Sequence, residues 1–482
     1  MPQLAAAINL EIVMPELTLL VFAFAMLLVV PLTRKRAISP ALSILAVIVS
    51  AYFVVASWNQ QGNGYFGMVI CDNFSLFCKL IFLLTCGAAV LISHDYLARR
   101  LIERPEYYAL MLISTAGMMV MVSSPNLIVI FLGLEIMSLP LYVLAGYVRS
   151  NVRSTEAAAK YFFMGAFASA FLLYGIALVY GATGTTDLQQ IFMSSGIALY
   201  QNQLYLMIGA AMALIGFAFK IAAFPFHMWV PDVYEGAPTP VTAFFSIGPK
   251  AAGVAAILRI FMMGFGTVFQ DFAPVFWLLA FFTMSVGNIL AIMQNDVKRM
   301  LAYSSIAHAG YLLVAVTAGG QEAVSSALFY LLAYAFFNMG AFVLVIIIEN
   351  KSGGSNHIDT FRGLASRHPW LAVSLALFMF SLAGFPPTAG FFGKFYVFSA
   401  AVNAGLVWLV IVAVLNSLIS VFYYLRPVKA AFFDRLEEDG GRITLHPLII
   451  ITIIITVAGT LVLGILPGYF LKLAASSVFM IM

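Results

Sequence analysis

Charge is what this 482-residue chain has least of. Asp, Glu, Lys and Arg make up 9% of it, while 63% is hydrophobic and the mean hydropathy is +1.01. A soluble domain carries roughly 25% charged residues, so this composition excludes a water-facing surface of ordinary size. Cysteine is scarce too. Cys71, Cys78 and Cys86 are the only three, with no CxxC pair, and an iron–sulfur cluster usually takes four thiolates. Cys78 and Cys86 read as small apolar residues of one helix. There is no GxGxxG and no P-loop, so nothing marks a site that binds NADH or ATP directly, and no basic stretch suggests nucleic acid.

What is present is long apolar runs, such as 17–32 and 448–467. In a bilayer each backbone group must be satisfied internally, which leaves helices or a closed barrel. Barrel strands need about ten residues of alternating pattern; these runs are continuous, so an all-α polytopic membrane protein is expected. Fourteen spans fit the length needed to cross: 13–33, 39–58, 73–95, 107–123, 126–148, 155–180, 202–224, 240–263, 273–293, 300–318, 323–349, 369–398, 402–425 and 445–466. The first reads as a retained helix, since no basic stretch precedes it and no cleavage pattern follows. Lys and Arg test the count, because cytoplasmic loops hold the cations. Arg34, Lys35 and Arg36, then Arg99, Arg100 and Arg104, Arg149 and Arg153, Lys298 and Arg299, Lys351, Arg362 and Arg367, and Arg426, Lys429, Arg435 and Arg442 fall after every second span. This places both termini outside the cytoplasm. The loop 225–239 is the weak one, with Asp232 and Glu235 but no Lys or Arg.

Removing loop charges leaves Lys79, Glu135, Lys160, Lys220, Lys250, Arg259, His308 and Lys394 inside apolar spans. A charge at the bilayer centre costs about 2.5–3.5 kcal/mol on insertion scales, so these residues should face a bundle interior or a hydrated path. Glu135 is the one clearly central acid. Lys220 precedes Pro225, and Lys394 follows Pro386 and Pro387. A proline breaks or kinks its helix, and a break at depth frees carbonyls beside the amine, as in transporter ion sites. Two such helices five spans apart suggest two five-helix units, inverted because an odd helix number reverses topology. Lys250 sits mid-span in the eighth helix. Lys and Glu suit proton transfer because burial disfavours the charged form of each, whereas Arg hardly deprotonates. His308 suits a relay, with Ser304, Ser305 and Tyr311 near it in sequence and Asn338 as a candidate partner. Lys160 and Arg259 lie nearer helix ends, where they can snorkel; Lys160 remains a path candidate. His227 falls just past the first break.

Three long signatures carry a resemblance: Phe224-Pro-Phe-His-Met-Trp-Val-Pro-Asp-Val-Tyr-Glu-Gly-Ala-Pro-Thr-Pro240, Lys298-Arg-Met-Leu-Ala-Tyr-Ser-Ser-Ile-Ala-His308 and Ala383-Gly-Phe-Pro-Pro-Thr-Ala-Gly-Phe-Phe-Gly-Lys394. With them the chain resembles the antiporter-like subunits of complex I, which are similar to Mrp-type cation/proton antiporter subunits. The resemblance implies fourteen helices with two inverted five-helix repeats. They divide as 1–106, 107–264, 265–430 and 431–482. It also implies the pair Glu135 and Lys220, the central Lys250 and the exit-side Lys394. A lysine at 394 argues against the M type, and the short C-terminus against the L type. The expected function is proton translocation in a bacterial inner membrane, driven by quinone reduction elsewhere. No cofactor is expected in this chain: NADH, FMN, iron–sulfur clusters and quinone belong to other subunits. The expected partners are neighbouring membrane-arm subunits in a hetero-oligomer, together with lipid. The alternative is a subunit of an Mrp-type Na+/H+ antiporter or membrane-bound hydrogenase. Helix ten offers no acid to match Glu135.

Overall fold

A computed structural model describes residues 9–33, 38–434 and 443–479. Arg34, Lys35, Arg36, Arg435 and Arg442 lie outside the described residues. The apolar runs form helices throughout: α1 (Met14–Thr33), α2 (Ile38–Ala56), α3 (Asn73–Arg99), α4 (Pro105–Val122), α5 (Leu127–Ala145), α6 (Val152–Thr183), α7 (Gln203–Ile221), α8 (Thr239–Arg259), α9 (Phe269–Ile292), α10 (Val297–Ala318), α11 (Gly320–Lys351), α12 (Pro369–Ala383 and, past a break, Ala389–Asn403), α13 (Val407–Phe432) and α14 (Pro447–Ile465). Among the described residues thirteen helices are long and apolar enough to cross a membrane; the broken α12 is the fourteenth expected span. A small antiparallel hairpin, Gly62–Gly64 with Val69–Cys71, closes the α2–α3 turn. Side-chain caps start the helices where the apolar runs begin. Asp72 and Ser75 form a reciprocal capping box on α3, and Asn126, Asn151 and Asp296 accept from the first turns of α5, α6 and α10.

The α8 segment is buried along its whole length. The outward faces stay apolar, with Val21, Leu28, Leu139, Phe163, Leu418 and Ile454 all exposed, as lipid contact requires. The cations gather at one end. Arg100 pairs with Glu349 at 2.9 Å, Arg299 reaches Asp232 at 3.1 Å, and Arg426 reaches Asn295 at 2.5 Å. Arg153 and Arg299 both pair with Glu235. The acid-only loop 225–239 therefore belongs with the cationic loops, its carboxylates met by cations from α6 and α10. At the opposite end Asp72 holds Arg259, Asn403 holds Glu322, and Asn73 reaches the Ser476 carbonyl.

The two five-helix units are visible in matching contacts. Leu127 N–H donates to the Thr186 carbonyl and Leu188 N–H to that of Pro125; Val297 N–H donates to Asn356 and Ile358 N–H to Asn295. Each pair ties the start of a unit's second helix to the end of its third, at opposite membrane faces. A Cβ on Gly117 of α4 would meet the Met137 nitrogen at 2.4 Å, and one on Gly287 of α9 the Ala307 nitrogen at 2.6 Å. Counted from the capping residues Asn126 and Asp296, these are the same positions. Each unit has its break around its fourth helix.

Candidate functional site

Glu135, Ser138 and Tyr142 lie three and four residues apart and so share one face of α5. Lys220, in the last turn of α7, points into that face. Its ammonium donates to Ser138 Oγ at 2.7 Å and to the Tyr142 hydroxyl at 3.1 Å. The rings of Tyr142, Phe219 and Tyr161 surround it at 5.2–5.6 Å, and only 4% of Lys220 is exposed. Glu135 accepts from Ser169 Oγ of α6 at 2.5 Å. Among the described residues no ion pair joins Glu135 to Lys220; Ser138, which accepts from Lys220, donates to the Leu134 carbonyl. The chain leaves the helix at Ala222, whose φ is +64°. The Ala218 carbonyl is taken by Ala223 N–H, and that of Phe219 by Ala222 N–H and Trp229 Nε1. The Ala218 and Phe219 carbonyls, one turn before the break, are therefore engaged, because the turn folds back on them.

The second break does offer its carbonyls to an amine. Lys394 donates to the Leu382 carbonyl at 3.0 Å, the Ala383 carbonyl at 2.8 Å and Ser417 Oγ at 2.9 Å. Gly384, at φ +94°, turns the chain there, and its missing side chain leaves room for the Lys394 methylenes. A cavity of 590 Å³ lies against this amine, walled mostly by apolar side chains that include Phe391, Phe395 and Val421.

Lys250 donates to the carbonyl and the hydroxyl of Ser305 on α10. The neighbouring Ser304 bonds the Tyr424 hydroxyl of α13. Tyr424 in turn meets His308 Nε2 at 3.1 Å, while His308 Nδ1 meets the Tyr330 hydroxyl of α11 at 2.5 Å. The partners of His308 are thus Tyr330 and Tyr424. Asn338 is not among them: its amide donates to Ser246 of α8 at 2.7 Å. Tyr311 lies between the two groups, its ring 5.7 Å from His308 and 5.0 Å from the Lys394 ammonium. Lys250, His308 and Lys394 are each at most 5% exposed.

Lys160 stands apart. The 32 residues of α6 exceed a ~30 Å hydrocarbon core at 1.5 Å per residue, so its first turns reach the cationic end. There Lys160 pairs with Glu156 at 2.7 Å and Asp232 at 2.8 Å, with 40% of its side chain exposed. Arg259 does not snorkel. It is 1% exposed and pairs with Asp72 at 2.8 Å, and Lys79 is likewise buried against Glu16 at 2.7 Å. His227 is buried just past the first break, its ring against Phe224. Lys298, assigned above to a loop, is 3% exposed and donates to the carbonyls of Glu235 and Ala237. The three cysteines are free and buried. Among the described residues no cluster of three or more His, Cys, Asp or Glu side chains could hold a metal. Sequence reading overlooked Ser138, Tyr142, Ser169, Tyr330, Tyr424 and Ser417. The spacing of Ser138 and Tyr142 from Glu135 was a usable signal; the others depend on which helices become neighbours.

Amines held on hydroxyls and carbonyls in the middle of a helical bundle define an ion-translocating type of membrane protein. Residues 124–420 match the family model described as NADH:quinone oxidoreductase/Mrp antiporter, TM, and the chain belongs to that family. It is 46% identical to the NADH-quinone oxidoreductase subunit N of Trichlorobacter lovleyi, over 99% of this chain and 98% of that one. It is 41% identical to subunit N 1 of Solibacter usitatus, over 96% of each. A chain of respiratory complex I from Thermus thermophilus superposes with a TM-score of 0.82 at 32% identity, over 96% of this chain and all of that one. A chain of the Mrp complex from a Dietzia species shares the fold, with a TM-score of 0.85 at 22% identity over 98% and 97%.

Proposed function

We propose that this chain is the N-type antiporter-like subunit in the membrane arm of a bacterial NADH:quinone oxidoreductase, and that it moves protons across the inner membrane. It works there as one member of a hetero-oligomer with other membrane-arm subunits. The redox steps belong to those other subunits, where NADH, FMN, iron–sulfur clusters and quinone bind; this chain contributes no redox centre. The five-helix units divide at 107–264 and 265–430.

In this reading a proton reaches Lys220 from the cytoplasmic side, past the Lys160 and Asp232 mouth. Glu135 controls the handover. With its carboxylate near, the ammonium is the favoured form; when the carboxylate is neutralised or turned away, the buried amine releases its proton. The released proton passes to Lys250, then along the Ser305, Ser304, Tyr424 and His308 hydroxyls and imidazole. It leaves through Lys394, at the second break. The observation that carries the reading is the set of buried amines, Lys220, Lys250 and Lys394, each held by hydroxyl or carbonyl oxygens with no carboxylate within ion-pair distance among the described residues. Such an amine can give up its proton without stranding a buried anion. The test is Lys220→Ala in the assembled complex. Coupled pumping and quinone-reductase turnover should both fall several-fold; full pumping by an assembled variant refutes the reading.

A further inference from the structure

At the cationic end, a cavity of 460 Å³ opens among Tyr96, Arg100, Lys298, Glu349, Asn350 and Asn356. It adjoins the Lys160 and Asp232 mouth, with Arg153, Glu235 and Gly236 lining both, and extends from there to Glu349. Glu349 is 6% exposed and accepts from the Tyr96 hydroxyl at 3.0 Å, from Arg100 at 2.9 Å and from Thr239 Oγ1. Thr239 is the first residue of α8. Below it, Thr242, Ser246 and Lys250 follow at intervals of three, four and four, which puts them on one face of that helix. Thr242 bonds the Tyr234 carbonyl, Ser246 receives Asn338, and Lys250 reaches Ser305. All of these side chains are buried. A helix at the centre of a bundle packs best with apolar side chains, yet this one carries a hydroxyl or amine at each turn of a single stripe. Asn338 of α11, whose amide donates to Ser246 on this stripe, is buried, and its Oδ1 has no protein partner. An amide oxygen left so in a bundle is destabilising unless water reaches it. The stripe from Thr239 to Lys250 spans about 16 Å at 1.5 Å per residue.

We infer that this stripe is a second aqueous inlet, leading protons from the Glu349 cavity directly to Lys250 without passing Glu135 or Lys220. The inference rests on the reading that Lys250 carries protons. It gives the central amine its own cytoplasmic supply, with Glu349 as the acid at the mouth. Ser246 and Asn338 hold the water that connects them.

The double variant Thr242→Cys/Ser246→Cys in the assembled complex tests this. Two thiols at i and i+4 chelate Cd2+, a soft-ligand ion small enough to follow water, and the chain's own thiols are buried. Radioactive Cd2+ is offered from one membrane face at a time, in inside-out and right-side-out vesicles. The expected result is about one extra ion per complex over the unsubstituted protein. Ions should arrive at least tenfold faster from the cytoplasmic face and leave with EDTA, and pumping should fall as they bind. No extra cadmium, or equal entry from both faces, overturns the inlet. Cadmium bound with pumping unchanged overturns its role in proton supply. Lys250→Met separates the two claims: full pumping by that variant refutes Lys250 as a carrier, whereas cadmium entry does not depend on it.

Discussion

Gly384 is the residue on which the geometry of the Lys394 amine turns. Its φ of +94° lies where a side chain costs about 1–2 kcal/mol, and a Cβ there would meet Lys394 Cδ at 3.0 Å. Gly405 has a similar φ, +80°, with open space around it. Gly384→Ala should therefore push the ammonium off the Leu382 and Ala383 carbonyls and reduce pumping several-fold. Gly405→Ala should cost only the backbone strain and leave pumping near normal. Proton uptake by vesicles of the two variants, at matched assembly, distinguishes them, and equal losses would contradict the geometry. At this scale the charges were legible in sequence: Glu135, Lys220, Lys250 and Lys394 stand in apolar runs, where a charge has no cheap solvation. Their partners were not. Whether His308 meets Asn338 or Tyr330 depends on how α10 and α11 rotate against each other, and hydropathy along one helix carries no information about its neighbour's rotation.

Helix ends and crossings make their own predictions. Asp232, in the short helix Trp229–Gly236 between α7 and α8, is pulled two ways. Burial raises its carboxyl, but hydrogen bonds from Lys160 and Arg299 more than offset this and hold it below the usual carboxylate value. A depressed carboxylate contributes stability above its unfolded value, about 3.9, and loses it only as pH falls through the lower folded value. Asp232→Asn should thus lower the heat-inactivation midpoint by the same small amount at pH 6 and pH 8, since both lie far above that window. A clear difference between the two pH values would contradict the pairing. At the α4–α5 crossing Gly117 leaves no room for a side chain, so Gly117→Leu should prevent stable assembly, seen as loss of the subunit from purified complex; Gly181→Leu, in open space, should assemble. The helices themselves were readable because apolar runs of this length have one stable form in lipid. The 225–239 loop was the doubtful element because its countercharges sit on α6 and α10, far away in sequence.

Across the whole molecule the two five-helix units share a frame but differ in what they hold. Glu135 lies nine residues past the cap Asn126, and Ser305 lies nine past Asp296. The missing acid of helix ten therefore has a location: Ser305 stands in its place, and that oxygen is the one Lys250 grips. Ser138, which holds Lys220, corresponds in the same count to His308. The first unit thus sets an acid one turn from the hydroxyl that holds Lys220, while the second offers Lys250 a neutral hydroxyl, and in the proposed route this asymmetry favours transfer toward Lys394. Ser305→Glu tests it by giving the second unit the first unit's chemistry. A carboxylate within reach of an ammonium favours the charged form by about 1.4–4 kcal/mol, which cuts the population of free amine roughly tenfold to a thousandfold. Pumping should drop at least tenfold in an assembled complex, whereas Ser305→Ala, which leaves the carbonyl of residue 305 as acceptor, should lose far less. If the glutamate variant pumps as well as the alanine variant, the neutrality of that position has no bearing on transport, and the row of amines must pass its protons by another logic.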